Sequence, residues 1–452
     1  MLMASEALSF VLHFSLALAL ATGLLSEVGA QTIAAAPCNV GVYRGPRGDF
    51  LTIIERPDTA QTGEWRYDFR GGRFGSTKNG AIECVQNAVM VTGDGEPPQK
   101  WPKVPLKLTP TRFRSGDVML AGLLIEPPDA KETKPPLVVC VHGSESTASI
   151  NRNRYPYVLA AQGISAFVFD KRGAGASEGK YNQNFHKLAT DVVAAATEAK
   201  GLAKGRYSRF GLFGGSQGGW VAPRAANDAG ADFVAIGFGL LLNPLEEDSE
   251  QVFTELRAQG YGDKVIAKAR EVTDATAAVM ASHFENGYEK LAAVKARFGV
   301  EPWFGKIKGE FTGDLLASGE ATLRREGRAK YDNLDIDWHY DAPGELRKVK
   351  APQLWIVAGA DREAPPDLTI QRLEQLRSEG KNITGVRFPN TDHGMYEFTQ
   401  AADGTRASTR VTDGYYRLLA DWIKRERQPP YGAPELTGKE KAAGARTANT
   451  HP

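Results

Sequence analysis

The sequence predicts an α/β fold: a mainly parallel sheet with helices on both faces and a helical insert, preceded by a small β-rich region. Three observations carry this. From about Leu106 onward, short apolar runs alternate with helical stretches. Each run ends in turn residues, as strands buried on both faces do. Ser216 stands between glycines where one such run gives way to a helix.

The 452-residue chain opens on an apolar segment, "LSFVLHFSLALALATGLL" from Leu8 to Leu25, with Val28 and Ala30 at small-residue positions behind it. An apolar stretch ahead of an A-x-A-like site has the form of a secretory signal, here residues 1–30 with cleavage after Ala30. That reading makes the mature chain periplasmic or secreted, with no stable membrane insertion. The alternative is an uncleaved membrane anchor, because Glu6 is the only charged side chain before the run.

Residues 37–100 read as a small β-rich accessory domain. In "EWRYDFR", Trp65, Tyr67 and Phe69 alternate with Arg66, Asp68 and Arg70, the period-2 pattern of a half-buried strand. Gly71 and Gly72 then supply a turn. The proline-bearing "TGDGEPPQKWPKVP" reads as a linker. Of the three cysteines, Cys140 lies in the apolar "LVVCVHG" as a buried thiol. Cys38 and Cys84 bracket the β-rich segment and could pair in an oxidising compartment. The alternative is two free thiols.

Residues 106–427 carry the alternating pattern. "VMLAGLLIEP", "PLVVCVHG", "GISAFVFD", "RFGLFGG", "DFVAIGFG", "APQLWIVAG" and "NITGVRFP" read as strands. "KLATDVVAAATEAKGLA" and the closing "VTDGYYRLLADWIKRE" read as helices. An insert at about 243–345, rich in Ala, Glu, Lys and Leu, is read as a helical cap over the active site, with a peripheral decoration as the alternative. Its Trp303, Phe304, Trp338 and Tyr340 are read as core, with lining of the acyl pocket as the alternative. Residues 428–452 read as a disordered tail.

A formal net charge of +1 and the lack of a basic stripe ahead of the tail argue against a nucleic-acid partner. No metal is expected, since neither H-E-x-x-H nor zinc-type Cys/His spacing occurs. The aspartates of "DNLDIDWHYD" lack the spacing of a calcium loop. "RGAGASEG" misses a dinucleotide fingerprint, because Glu178 takes the third glycine position. No cofactor is therefore expected, and that loop is read as structural, held by Asp170, Arg172 and Ser177.

The chemistry gathers around Ser216. A strand–turn–helix context makes a G-x-S-x-G serine a nucleophile on a sharp elbow, with Gly214 and Gly218 leaving room for the turn. A serine hydroxyl needs a base, and the base needs a group to orient it. On such folds the acid and then the histidine follow the serine along the chain. His142 and His186 precede Ser216, and His283 and His339 come before the late strands. His393, in "FPNTDHGMY", follows the last strand and is the base. Asp361, just beyond the strand of "LWIVAGADREAPP", is the acid, with Asp367 and Glu363 as fallbacks. Asp392 adjoins the histidine and is poorly placed to orient it. The backbone N–H groups of Ser144, after "VHG", and of Gln217 are the candidate oxyanion hole; one such donor contributes about 2.7–4 kcal/mol to the transition state. His142 is read as bracing its loop.

"HGS" at 142–144, "FDKRGAGASEG", "GLFGGSQGGWVAP", "GADREAPP" and "TDHG" together resemble the α/β-hydrolase superfamily, and within it the EstD-type bacterial carboxylesterases. The resemblance covers roughly 112–424 apart from the insert. It implies the α/β-hydrolase fold and a serine esterase acting on a small-molecule ester through an acyl-enzyme. A peptidase on the same machinery is the runner-up, and a non-catalytic binding protein a third reading. Two departures stand out. Glu145 occupies a place often held by glycine, and Gly215 one often held by histidine, which leaves extra space at the elbow.

Overall fold

The computed structural model describes residues 38–56, 64–93 and 96–437. The apolar N-terminal segment lies outside the described residues, as does 438–452. Among the described residues no helix is long and apolar enough to cross a membrane.

A nine-stranded sheet organises the chain. Its strands are β1 (Lys107–Ser115), β2 (Val118–Glu126), β3 (Leu137–Val141), β4 (Ser165–Phe169), β5 (Phe210–Gly215), β6 (Phe233–Gly237), β7 (Gln353–Ala358), β8 (Ile383–Phe388) and β9 (Glu435–Leu436). The spatial order is β9-β8-β7-β6-β5-β3-β4-β2-β1. Strands β3 to β8 run parallel, while β1, β2 and β9 pair antiparallel at the edges. This is the α/β-hydrolase fold expected from the sequence.

Alternation along each central strand feeds two cores. Leu137, Val139 and Val141 pack with residues of α2 (Phe185–Leu202) and α3 (Gly218–Ala226) on one face. Val138 and Cys140 pack with α1 (Tyr155–Ala161) and α8 (Tyr415–Lys424) on the other. Burial on both faces explains why these strands read as continuous apolar runs. The residues between β6 and β7 form helices α4 (Pro244–Ala258), α5 (Asp263–Ala281) and α6 (Tyr288–Phe298) and shorter turns, around an apolar cluster that includes Phe253, Leu256, Val279 and Trp303. Helix α7 (Pro366–Ser378) follows β7.

The N-terminal residues build a four-stranded antiparallel sheet (Gly41–Arg44, Phe50–Glu55, Trp65–Phe69, Phe74–Ser76) and a three-stranded one (Ile82–Val85, Ala88–Gly93, Glu96–Pro102). Cys38 and Cys84 are joined by a disulfide, with Cα atoms 5.2 Å apart; Cys140 is buried and free. The stretch expected as a linker is instead partly a strand, Glu96–Pro102, paired with Ala88–Gly93. Its prolines are tolerated because it lies at the edge of its sheet, and Trp101 anchors it edge-on against Phe69. The start of the expected disordered tail is likewise ordered. Glu435 and Leu436 pair with Arg387 and Val386, and Thr437 N–H donates to the Gly385 carbonyl. An exposed sheet edge offers such unpaired groups to any extended segment, polar or not.

Candidate active site

The sequence "GGSQGG" forces the chain from β5 into α3 in one tight step. Ser216 adopts φ +51°, a left-handed conformation strained for a residue with a side chain. A Cβ on Gly214 would lie 2.5 Å from the Gly218 carbonyl oxygen, so the turn admits no side chain there. The serine hydroxyl is thereby presented at the carboxyl end of the sheet, with Gln217 at the N-terminus of α3.

His393 stands on the loop after β8 and Asp361 on the loop after β7. His393 Nε2 lies 3.2 Å from Ser216 Oγ, and His393 Nδ1 lies 2.9 Å from Asp361 Oδ2. Asp361 Oδ1 accepts the backbone N–H groups of Glu363 (3.0 Å) and Ala364 (2.7 Å), which locks the carboxylate in place. The other acids are placed differently. Asp367 is exposed on the first turn of α7. Asp392 accepts the His393 backbone N–H and pairs with Arg406. Glu363 approaches the opposite ring nitrogen, with Oε1 3.6 Å from His393 Nε2.

Burial alone would lower the imidazole pKa, but the Asp361 charge and hydrogen bond, with Glu363 and Glu247 behind them, raise it to about 9. Neutral imidazole is the form that accepts a proton, so with His393 as general base the acid limb of kcat/KM is expected on the alkaline side of an ordinary histidine. Glu363→Gln removes one of the charges that favour imidazolium. The variant is expected to move that limb about one pH unit downward. A pH–rate profile of kcat/KM measures it; an unmoved limb means that Glu363 does not act on His393.

Ser144 and Gln217 line one cavity with Ser216, of about 320 Å³. Apolar walls come from Phe185, Trp220, Leu240, Met280, Phe311 and Trp338. Met280, Phe311 and Trp338 belong to the inserted helices and turns, so Trp338 is wall as well as core, while Trp303 and Tyr340 are buried away from it. Glu247, Glu310 and Glu363 bring carboxylates to the same wall. Burial and the charges of Glu310 and Glu363 push the Glu247 carboxyl well above the usual range.

A second cavity, of about 440 Å³, is lined by both Ser216 and His393. Ile54 and Arg66 of the N-terminal sheet and Arg152 and Arg154 of the main chain fold border it. Arg66 and Arg154 both donate to Tyr396 Oη, at 2.9 and 2.7 Å, and Arg154 also reaches the Gly394 carbonyl. Arg66, on the polar side of "EWRYDF", thus reaches the segment just after the histidine. Periodicity along the strand gives no hint of this.

Two expectations need correction. The extra space beside Gly215 is filled: a Cβ there would sit 2.6 Å from Phe238 Cζ, and the Phe238 ring stands edge-on to His393 at 5.1 Å between centroids. His142 packs against Phe169, but the hydrogen bonds that brace its loop come from elsewhere. Lys171 Nζ donates to the carbonyls of Gly143 (2.7 Å) and Glu145 (2.8 Å), and Tyr181 Oη donates to the Ser144 carbonyl. Burial pulls the Lys171 ammonium down to about 8, against the attraction of Glu145.

The rest of "FDKRGAGASEG" holds itself together. Asp170 accepts from the backbone N–H groups of Ser149, Ile150 and Ala176, Ser177 donates to the Asp170 carbonyl, and Arg172 pairs with Asp191. In "DNLDIDWHYD", Asp332 meets His283, Asp335 meets Lys187, and Asp341 caps the helix Ala342–Lys348.

The strand order and the strand–turn–helix elbow at Ser216 are those of the α/β-hydrolase fold. Residues 133–262 match the family model described as serine aminopeptidase, S33. A search of curated proteins finds no match. Solved structures similar to the chain include a Pyrococcus furiosus esterase, at 14% identity over 64% of this chain and 85% of that one, TM-score 0.39. A Pyrococcus horikoshii acylaminoacyl peptidase aligns at 16% identity over 86% of this chain and 57% of that one, TM-score 0.44. A Mycobacterium smegmatis proline iminopeptidase aligns at 20% identity over 63% and 91%, TM-score 0.38.

Proposed function

We propose that the chain is a serine esterase that hydrolyses small carboxylic esters, of the EstD-like kind its motifs resemble. The observation that carries this is the continuous contact from Asp361 through His393 to Ser216 Oγ. His393 Nε2 takes the hydroxyl proton as Oγ attacks the ester carbonyl carbon. The tetrahedral oxyanion is held by the N–H groups of Ser144 and Gln217. Collapse breaks the bond to the alcohol, which leaves with the proton from His393. A water activated by the same imidazole then attacks the acyl-enzyme and restores Ser216. The apolar wall from Phe185 to Trp338 suits the acyl chain. The Cys38–Cys84 disulfide fits the exported location read from the N-terminal segment.

A serine aminopeptidase is the second reading. The carboxylates of Glu310 and Glu363 on the cavity wall, beside the Glu247 carboxyl, suit a substrate ammonium, and the matched family model carries that description. Rates on p-nitrophenyl butyrate and on aminoacyl p-nitroanilides decide between them. The ester is expected to be the better substrate by kcat/KM, and a reversed ranking makes the chain a peptidase. A fluorophosphonate probe is expected to label Ser216; a folded chain that stays unlabelled would overturn both readings.

A further inference from the structure

Lys171 is wholly buried, an expensive place for an ammonium unless its protons are used. Two of the three are spent on backbone carbonyls, those of Gly143 and Glu145. Tyr181 Oη takes the carbonyl between them. Its ring also lies 5.1 Å from Lys171 Nζ, and Gln183 Nε2 donates to its hydroxyl at 3.0 Å. Three consecutive carbonyls, 143 to 145, are therefore held by two side chains from the segment after β4. The flanking Asp170 and Arg172 make no bond to this loop's 143–145 carbonyls; their partners lie at 149, 150, 176 and 191.

The carbonyl of Gly143 and the N–H of Ser144 belong to one peptide group. That bond is trans, the cis bond among the described residues being Pro429–Pro430. In a trans peptide the C=O and N–H point in opposite directions. Fixing the carbonyl on Lys171 therefore fixes the N–H on the other side. Gly143 adjoins the nucleophile there: a Cβ on it would lie 3.7 Å from Ser216 Cβ. If this peptide turned over, it would present a carbonyl oxygen where an oxyanion needs a donor, and such donors work only when held in advance.

We propose that Lys171 is a positioning residue for the oxyanion hole: with Tyr181, it sets the orientation of the Gly143–Ser144 peptide. The proposal rests on the serine-hydrolase reading of Ser216, and the experiment separates the two. Wild-type protein is first tested for fluorophosphonate labelling and ester turnover, which checks that reading alone. Lys171→Met and Tyr181→Phe are then compared with it. Lys171→Met is expected to lower kcat about 10²-fold and Tyr181→Phe about tenfold, with KM little changed. A trifluoromethyl ketone forms a tetrahedral adduct whose oxyanion occupies the hole, so its affinity is expected to fall in step with kcat/KM. Tyr181→Phe keeps the ring and serves where Lys171→Met fails to fold. An active wild type whose folded variants keep kcat and inhibitor affinity overturns the clamp and leaves the hydrolase reading standing. Loss that only tracks a lower folded fraction, with inhibitor affinity per folded molecule unchanged, also overturns it.

Discussion

Replacing Ser216 with alanine is expected to cut turnover of short p-nitrophenyl esters by about a millionfold. The change deletes the only atom that can form the acyl-enzyme and leaves the elbow's backbone requirements as they were. Residue 216 keeps a Cβ at φ +51°, Gly214 and Gly218 still clear the turn, and Ser216 N–H still donates to the Gly237 carbonyl at 3.2 Å. The thermal midpoint should therefore stay close to that of the wild type. Any remaining activity should come from the oxyanion donors and from binding, which keep a residue of catalysis when a triad member is lost. Steady-state assays on purified protein, with labelling by a fluorophosphonate as the parallel readout, test this. A variant retaining a tenth of wild-type turnover would remove Ser216 from the mechanism.

How far the sequence reaches can be judged from particular residues. The central strands were legible because burial on both faces leaves continuous apolar runs, and Leu137 to Val141 show it. The contact among Ser216, Asp361 and His393 could be anticipated because each follows a strand end and the three occur in a fixed order along the chain. Lys171 could not. Nothing in the sequence singles out the lysine between Asp170 and Arg172, and only the approach of a loop 26 to 28 residues earlier makes it a buried donor. Phe238 beside Gly215 was hidden for the same reason, since the contact joins the ends of two adjacent strands. Arg66 reaching Tyr396 spans 330 residues, a separation at which periodicity carries no information. Edge pairings such as Glu435 with Arg387 escape too, because backbone groups make them whatever the side chains are.

Asp361→Asn is expected to lower kcat/KM about ten-thousandfold while preserving the fold. The reason lies in the bonds that surround the carboxylate. Oδ1 accepts two backbone N–H groups, from Glu363 and Ala364. An asparagine would keep its one oxygen there, because an amide NH2 cannot accept those bonds. Its NH2 must then face His393 Nδ1, where Asp361 Oδ2 now sits at 2.9 Å. Facing a donor, Nδ1 becomes the acceptor and the ring proton moves to Nε2, the nitrogen 3.2 Å from Ser216 Oγ. That tautomer cannot take the serine proton. Neither neighbouring acid can restore the right one. Glu363 lies on the Nε2 side of the ring, and Asp392 is committed to Arg406 and to backbone N–H groups. The loss should appear in the rate of acylation, read as fluorophosphonate labelling over time, and the acid limb of the pH profile should fall because the imidazolium loses its largest stabilising charge. Asp361→Asn with near wild-type acylation would show that some other group orients His393, and the triad would have to be redrawn around it.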